Sequence, residues 1–394
     1  MFKIDNIKEA FVATAILVFF TCIINFLFVK FDFFKSFKQG AHGFDLYDFY
    51  SGEKGKNNLS RDTNIILIQI ENDRDKIAEQ INIIKKYEPA VIGIDVMFDH
   101  RKDSAIDFKL EQSFAGASNI VYAYRLTPAK LSANQSNVFI TNGLEGRSGY
   151  IDLIPDRYSV ITKYSPFEKI NSVDNFAFTS RIIQLFSKKF FQELEQRNHS
   201  KEAIKYKGNI DKYTSITKEE LNLYNKDNQL QQVLKNKIVL FGYFIRDAPL
   251  VNDDLFFSPL NSHVGNNSTP DMYGIVIHAN ILSMILDRSY PKIASTYISF
   301  IAAFIFTFLL LLYIIYIQSE NDPPSYSKIL LIQFLLILFV LYFFLKIYNI
   351  FSWRTPLLPI LISLVLCVES LRVYKFIALR LHKKMNYKTI YTQK

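Results

Sequence analysis

Four long apolar runs, one before and three after a polar middle, constrain this chain more than any other feature. They cover about residues 10–29, 297–317, 329–345 and 357–373. Each approaches the ~20 residues that an α-helix needs to cross ~30 Å of hydrocarbon. The expected architecture is therefore four transmembrane α-helices, arranged 1 + 3, with one large domain between the first two. Its boundaries are 1–30 for an N-terminal anchor, 31–62 for a stalk, 63–290 for the domain, 296–374 for a three-helix bundle and 375–394 for a basic tail.

Charge sets the expected orientation. The formal net charge is +9, and after Glu369 the chain carries Arg372, Lys375, Arg380, Lys383, Lys384, Lys388 and Lys394 with no acidic residue among them. Such a run beside a membrane reads as a positive-inside anchor on anionic lipid rather than as a nucleic-acid site. The tail is expected to be cytoplasmic, and four spans place the amino terminus on the same side. The first run is too long for a signal-peptide core and lacks an Ala-x-Ala site, so it reads as a retained anchor. Both cysteines, Cys22 and Cys367, fall in expected spans. The domain must then be stable through its own core.

Periodicity gives the domain its class. Residues 64–70 (NIILIQI) form a near-continuous apolar run, as in a buried parallel strand. A helix to about Tyr87 follows, with Ile77, Ile81 and Ile84 at helical spacing. Pro89 ends it, and residues 90–94 (AVIGI) make a second strand, giving a right-handed β-α-β unit. Further expectations are a helix at 106–114, a strand at 119–124, a turn-bearing segment at 149–156, a long helix at 174–195 and a polar peripheral insertion at 201–232. Residues 237–241 (KIVLF) restart a buried strand, and a helix at 274–286 leads almost directly into the second span, a route by which movement is passed on. The fold class is α/β, a mainly parallel sheet flanked by helices.

Catalytic motifs are missing. Asn64–Ile70 is followed by acidic residues rather than a Gly-rich phosphate cradle, no Gly-x-Ser-x-Gly elbow occurs, and no cysteine lies outside the spans. The expectation is no enzyme, no catalytic residues and no cofactor. Two acidic groups stand out. In the first, Glu71, Asp73, Asp95, Asp99 and Asp103 accompany His100; Glu71 and Asp95, read as following adjacent strands, meet at the carboxyl edge of the sheet, where ligands of open α/β folds bind. Oxygen ligands there suit a hard cation, and helix capping and solvation explain them equally. In the second, Asp253, Asp254, His263, Asp271 and His278 lack a His pair at i,i+4, so a buried, hydrogen-bonded His278 is favoured and no metal is assigned. In the membrane runs, Glu369 reads as an interfacial partner of Arg372, and Gln333 is the one strongly polar residue near the start of the third span.

Three stretches together resemble the CHASE2 family of extracytoplasmic sensor domains. The first is NIILIQIEND, a helix, then AVIGIDVMF, with Gly93, Asp95 and Phe98 at matching positions and Asp107 and Leu110 continuing it. The second is 149–164, with Pro155 and Asp156 retained. The third, the most specific, is KIVLFG ending at Gly242, then DLFFSP from Asp254 to Pro259, then MYGIVIHAN with Gly274, His278, Ala279 and Asn280. The resemblance covers about 64–287. A Trp-Pro-Trp-x-Arg stretch common in the family is missing here; Arg74 follows the first strand and the single Trp is Trp353. Members of the family usually continue into a cytoplasmic cyclase, kinase or similar output domain, and the expectation here is the basic tail past the last span without such a domain.

The resemblance implies a multi-pass protein of a bacterial inner membrane, its main domain periplasmic and both termini cytoplasmic. Expected contacts are membrane lipid, a protein partner in membrane or cytoplasm, a periplasmic ligand and a homo-oligomer, with no nucleic acid. Ligand-binding candidates are Glu71, Asp95, Asp254 and His278; Gly93, Phe98, Gly242, Pro259, Gly274, Ala279 and Asn280 are motif positions. The leading reading is a sensor acting through a partner. The alternative is a docking subunit of an envelope complex, with Tyr243, Phe256 and Phe257 as exposed anchors.

Overall fold

The computed structural model describes residues 4–30, 47, 50, 61–98, 100–126, 146–156, 159–170, 172–227, 229–246, 254–261, 269–318, 325–385 and 388–392. The chain divides into two compact units: Met1–Lys38 with Pro291–Lys394, and Gln39–Tyr290. The expected stalk falls almost wholly outside the described residues, as do Asp99, Asp253 and His263.

Within the second unit, β1 (Asp62–Gln69), β2 (Val91–Ile94), β3 (Ile120–Tyr124), β4 (Ser148–Tyr150), β10 (Tyr213–Ile216) and β11 (Ile238–Gly242) form one six-stranded sheet in the order β10-β1-β11-β2-β3-β4. Every pairing in it is parallel. The period-2 geometry of a strand explains why these segments read as unbroken apolar runs. Ile65, Leu67, Ile238, Leu240, Val91 and Val121 enter one core, while Ile66, Ile68, Val239, Phe241, Ile92 and Ile120 enter the other.

Helices cover both faces. On the second core lie α2 (Arg74–Lys85), α3 (Ser104–Phe114), α6 (Lys218–Lys226) and α7 (Leu230–Leu234), through Ile77, Ile81, Leu110, Phe114, Leu221 and Leu230. On the first lie α4 (Phe178–Phe186), α5 (Lys188–Arg197) and α8 (Gly274–Leu286). In α8 every residue from Gly274 to Ile285 is buried, so this helix is core on all sides. Small antiparallel pieces complete the domain: β5 (Ile154–Pro155), β6 (Ile161–Tyr164) and β9 (Glu202–Ala203) in one sheet, β7 (Phe167–Ile170) with β8 (Val173–Phe176), and β12 (Leu255–Phe256) with β13 (Met272–Tyr273).

Three expectations change here. The segment 201–232 is no peripheral insertion, because it supplies the edge strand β10 and the capping box of α6, where Thr217 and Glu220 bond each other's backbone. The segment at 149–156 begins inside β4. The long helix at 174–195 is a strand end followed by two helices, parted at Ser187, whose backbone is extended.

The first unit holds α1 (Ile4–Lys30), α9 (Thr296–Gln318), α10 (Tyr326–Phe351) and α11 (Leu358–Met385), with α11 against α1, α9 and α10. Three of these, not four, are long and apolar enough to cross a membrane: Ile4–Ile24, Thr296–Gln318 and Tyr326–Phe351. The fourth expected span is a continuous helix, but Glu369, Arg372 and Lys375 interrupt its apolar part. Their hydration cost in hydrocarbon is what excludes it from the simple count. Glu369 does pair with Arg372, at 3.0 Å, and accepts from Tyr326 Oη at 2.7 Å. Short strands β14 (Lys292–Ile293) and β15 (Trp353–Arg354) pair in parallel, bringing the segment just after the domain to the connection between α10 and α11.

Candidate functional site

Because all six strands run the same way, their carboxyl ends share one edge. Asp95 follows β2 directly, Arg125 follows β3, and Asp152 stands two residues beyond β4. The segment leading into β12 adds Asp254. Asp95 and Asp254 are half-buried and bear on each other. Burial first, then repulsion from the Asp254 carboxylate, pushes Asp95 up to about 8, against the pull of Arg125. Burial likewise raises Asp254 to about 6, although Arg125 and the Gly274 amide favour its charged form. Asp152 is raised by burial while accepting from the Leu126 amide at 2.7 Å. Two neighbouring carboxyls with separated affinities for a proton are what like charges in a poorly solvated edge produce.

Asp254 has a second contact. A Cβ on Gly274 would lie 3.1 and 3.2 Å from its two carboxylate oxygens, and the Gly274 amide donates to the Asp254 carbonyl at 3.1 Å. Gly274 opens α8, so the acid lies against the positive end of that helix. The other motif glycines also serve close approach. On Gly93 a Cβ would come within 2.9 Å of Ile182, Leu240 and Phe178, and on Gly242 within 2.9 Å of Ile275, so these positions let α4 and α8 settle on the sheet.

The remaining candidates lie elsewhere. Glu71 is not beside Asp95, because β11 runs between β1 and β2. Its amide donates to Gln80 Oε1 at 3.0 Å and its carboxylate sits 3.7 Å from Lys218. His278 is buried in α8, its ring edge-on to Phe178 at 5.4 Å; burial lowers it to about 4, so it is neutral, and Nδ1 has no hydrogen-bond partner. Asn280 is fully used: Oδ1 accepts from the Lys207 and Gly208 amides, and Nδ2 donates to the Gly208 and Val276 carbonyls. Ala279 is buried next to it. Phe98 packs on Phe114 beneath Arg74, whose buried guanidinium meets Asp107 at 2.5 Å. Ahead of the half-buried Pro259, Ser258 bonds Asp271 through both its amide and its hydroxyl. Asp73 begins α2 without a side-chain cap, whereas Asp103 caps α3. Tyr243, Phe256 and Phe257 are half-buried rather than exposed, the first two against the core.

Sequence reasoning missed Arg125 and Asp152, although stepping one or two residues past each apolar strand finds them. It also missed the other end of α8. There Asp62, at the start of β1, accepts from Ser283 Oγ, from Lys207 Nζ at 2.9 Å and from the Asn64 amide at 2.9 Å. Lys207 reaches Asp287 at 3.4 Å as well. Burial alone would raise Asp62, but these donors and the Lys207 charge outweigh it and hold it low.

A doubly covered parallel sheet with a charged carboxyl edge, on a chain that also carries helices long and apolar enough to cross a membrane, defines the class as an α/β domain joined to membrane-length helices. The chain belongs to the CHASE2 family: the CHASE2 domain model matches residues 60–316, which takes in the whole domain from β1 and nearly all of α9. No curated protein and no solved structure matches it.

Proposed function

We propose that this protein is a non-catalytic receptor of a bacterial inner membrane, its CHASE2 domain in the periplasm, that reports occupancy or neutralisation of the Asp95–Asp254 pair to a partner. In this reading α11 also crosses, its charges at the cytoplasmic end, which leaves both termini and the basic tail inside. The observation that carries the proposal is the double role of Asp254, which shares its site with Asp95 and abuts the first turn of α8. An input that adds a proton or a small cation to the edge removes a repulsion and changes what α8 is held by. The helix shifts as a packed element, and the following segment Lys292–Ile293 carries the shift to Trp353–Arg354 between two bundle helices. The contact between Asp254 and the start of α8 is what supports a receptor in this reading.

Trp353, the single tryptophan, is 45 % exposed and sits in β15, so it serves as an internal reporter. The test is its fluorescence in full-length protein in lipid nanodiscs between pH 5 and 8.5. A shift centred between about 6 and 8, lost when Asp95→Asn and Asp254→Asn are combined, is the expected result. An emission spectrum that follows pH equally in both proteins would end the proposal.

A further inference from the structure

Between α10 and α11 lies a groove of about 260 Å³, walled by Leu330, Phe334, Ile337 and Val365, with Gln333 at its floor and Glu369 at one end. Gln333 is 6 % exposed, and its Nε2 donates to the Leu364 and Val365 carbonyls at 2.6 and 2.8 Å. Both amide protons are thereby used, yet Oε1 has no hydrogen-bond partner. An acceptor left unmet inside a membrane helix is costly, because hydrocarbon offers no substitute donor.

We infer that this groove docks a transmembrane helix of a partner protein that brings a side-chain donor, Ser, Thr, Asn or Gln, to Gln333 Oε1. The inference rests on the receptor reading and names the chemistry of the partner that reading needs. A lipid tail fits the apolar walls but carries no donor. In the topology proposed above, head groups meet the chain near Tyr326, Lys328 and Arg372, and Gln333 lies about 10 Å further along the helix from Tyr326. At the head-group level Glu369 is already matched by Tyr326 and Arg372. A second copy placed on the same face also fails. Its Gln333 has no spare N–H, and the groove walls are apolar, so a two-fold contact leaves both acceptors unmet. A helix supplies a donor at any depth, and small polar residues at helix contacts are how membrane helices recognise each other. Phe334, 57 % exposed, lines the groove beside Gln333, where an arriving helix meets it first.

The test uses full-length protein in its native membrane with a benzophenone amino acid at Phe334, and at Phe20 on α1 as a control face. The expected product is one attachment site on a transmembrane helix, within a turn of a Ser, Thr, Asn or Gln. Gln333→Leu should weaken that product about three- to tenfold. Replacing the partner's donor by Ala should give the same loss, with no further loss when the two are combined. Leu330→Phe, which fills the groove and leaves the amide alone, should abolish the product, and it decides the matter if Gln333→Leu misfolds. Attachment to a second copy, to lipid, or to a helix without a donor overturns the inference, as does a yield indifferent to both substitutions. The yield is read without any input. A docked helix with an unresponsive Trp353 would therefore refute the receptor reading alone, and a responsive Trp353 with no docked helix would refute this one alone.

Discussion

Helix α8 is held by an aspartate at each end, and the two ends are built in opposite ways. At its C-terminal end Asp62 is 5 % exposed and surrounded by donors from Ser283, Lys207 and the Asn64 amide, so near neutral pH its charge is a strut between the first strand and the last helix of the domain. At its N-terminal end Asp254 shares a half-buried edge with Asp95, and Arg125, the cation that acts on both among the described residues, is itself exposed. The first carboxylate is over-satisfied and the second under-satisfied. The same residue type thus makes a fully satisfied and an under-satisfied contact, and only its surroundings decide which.

Breaking the fixed end should have the largest effect. Asp62→Ala leaves Lys207 without its buried partner and is expected to cost about 3 kcal/mol, or a fall of roughly 6–12 °C in the melting temperature of the full-length protein at pH 7. A loss below 1 kcal/mol would show that the strut is ornamental.

The sensitive end should respond with the opposite sign. Asp95 binds its proton more tightly in the folded protein, near 8, than in the unfolded chain, near 3.9. Folded stability is therefore greatest below the unfolded value and is lost as pH rises through about 8. Asp95→Asn removes that loss. It should raise stability at pH 8.5 by about 2 kcal/mol, less than the full shift implies because the edge is partly solvated, and flatten the pH profile from 4 to 8. A variant whose profile keeps the wild-type slope would remove Asp95 from the sensitive end.

Asp254→Asn should do the same over the narrower window from about 4 to 6, with a gain of about 1 kcal/mol at pH 7. Because the two acids repel each other, the double variant should gain less than the sum of the single ones. Strict additivity in denaturation experiments would mean that the two do not share a site.

Ser283→Ala is the mildest probe of the fixed end. It removes one hydrogen bond to Asp62 and should cost about 1 kcal/mol. Its loss should fade in acid, because Asp62 is held below the usual range and its contribution, present above the unfolded value, disappears as pH falls through the lowered one. Acid therefore loosens the fixed end while relieving the sensitive one.

Much of this was legible in the residues. Runs such as NIILIQ and KIVLF announce strands buried on both faces, and the apolar GIVIHANIL announces a wholly buried helix, because burial of that many side chains has few other solutions. Gly93, Gly242 and Gly274 stood out only as positions of the family motif, and the structure gave them their close contacts. Local pattern failed where structure is held by distant neighbours. The polar segment 201–232 conceals β10, since an edge strand needs only one buried face and one partner. Helix α11 was read by its apolar half, although Glu369, Arg372 and Lys375 change what it costs to cross a membrane.

By itself, then, the sequence determined the class of the domain, its parallel sheet and its attachment to membrane-length helices, because these rest on the hydrophobic period of short segments; its family was legible through the resemblance of three motif stretches. Tertiary structure alone decided that β11 separates β1 from β2, that Glu71 stands apart from Asp95, that Arg125 joins the acid pair, and that Asp62 meets Ser283 across most of the domain's length in sequence. Strand order and charge pairing are settled by which long crossovers close most favourably, and no local window of residues contains that information.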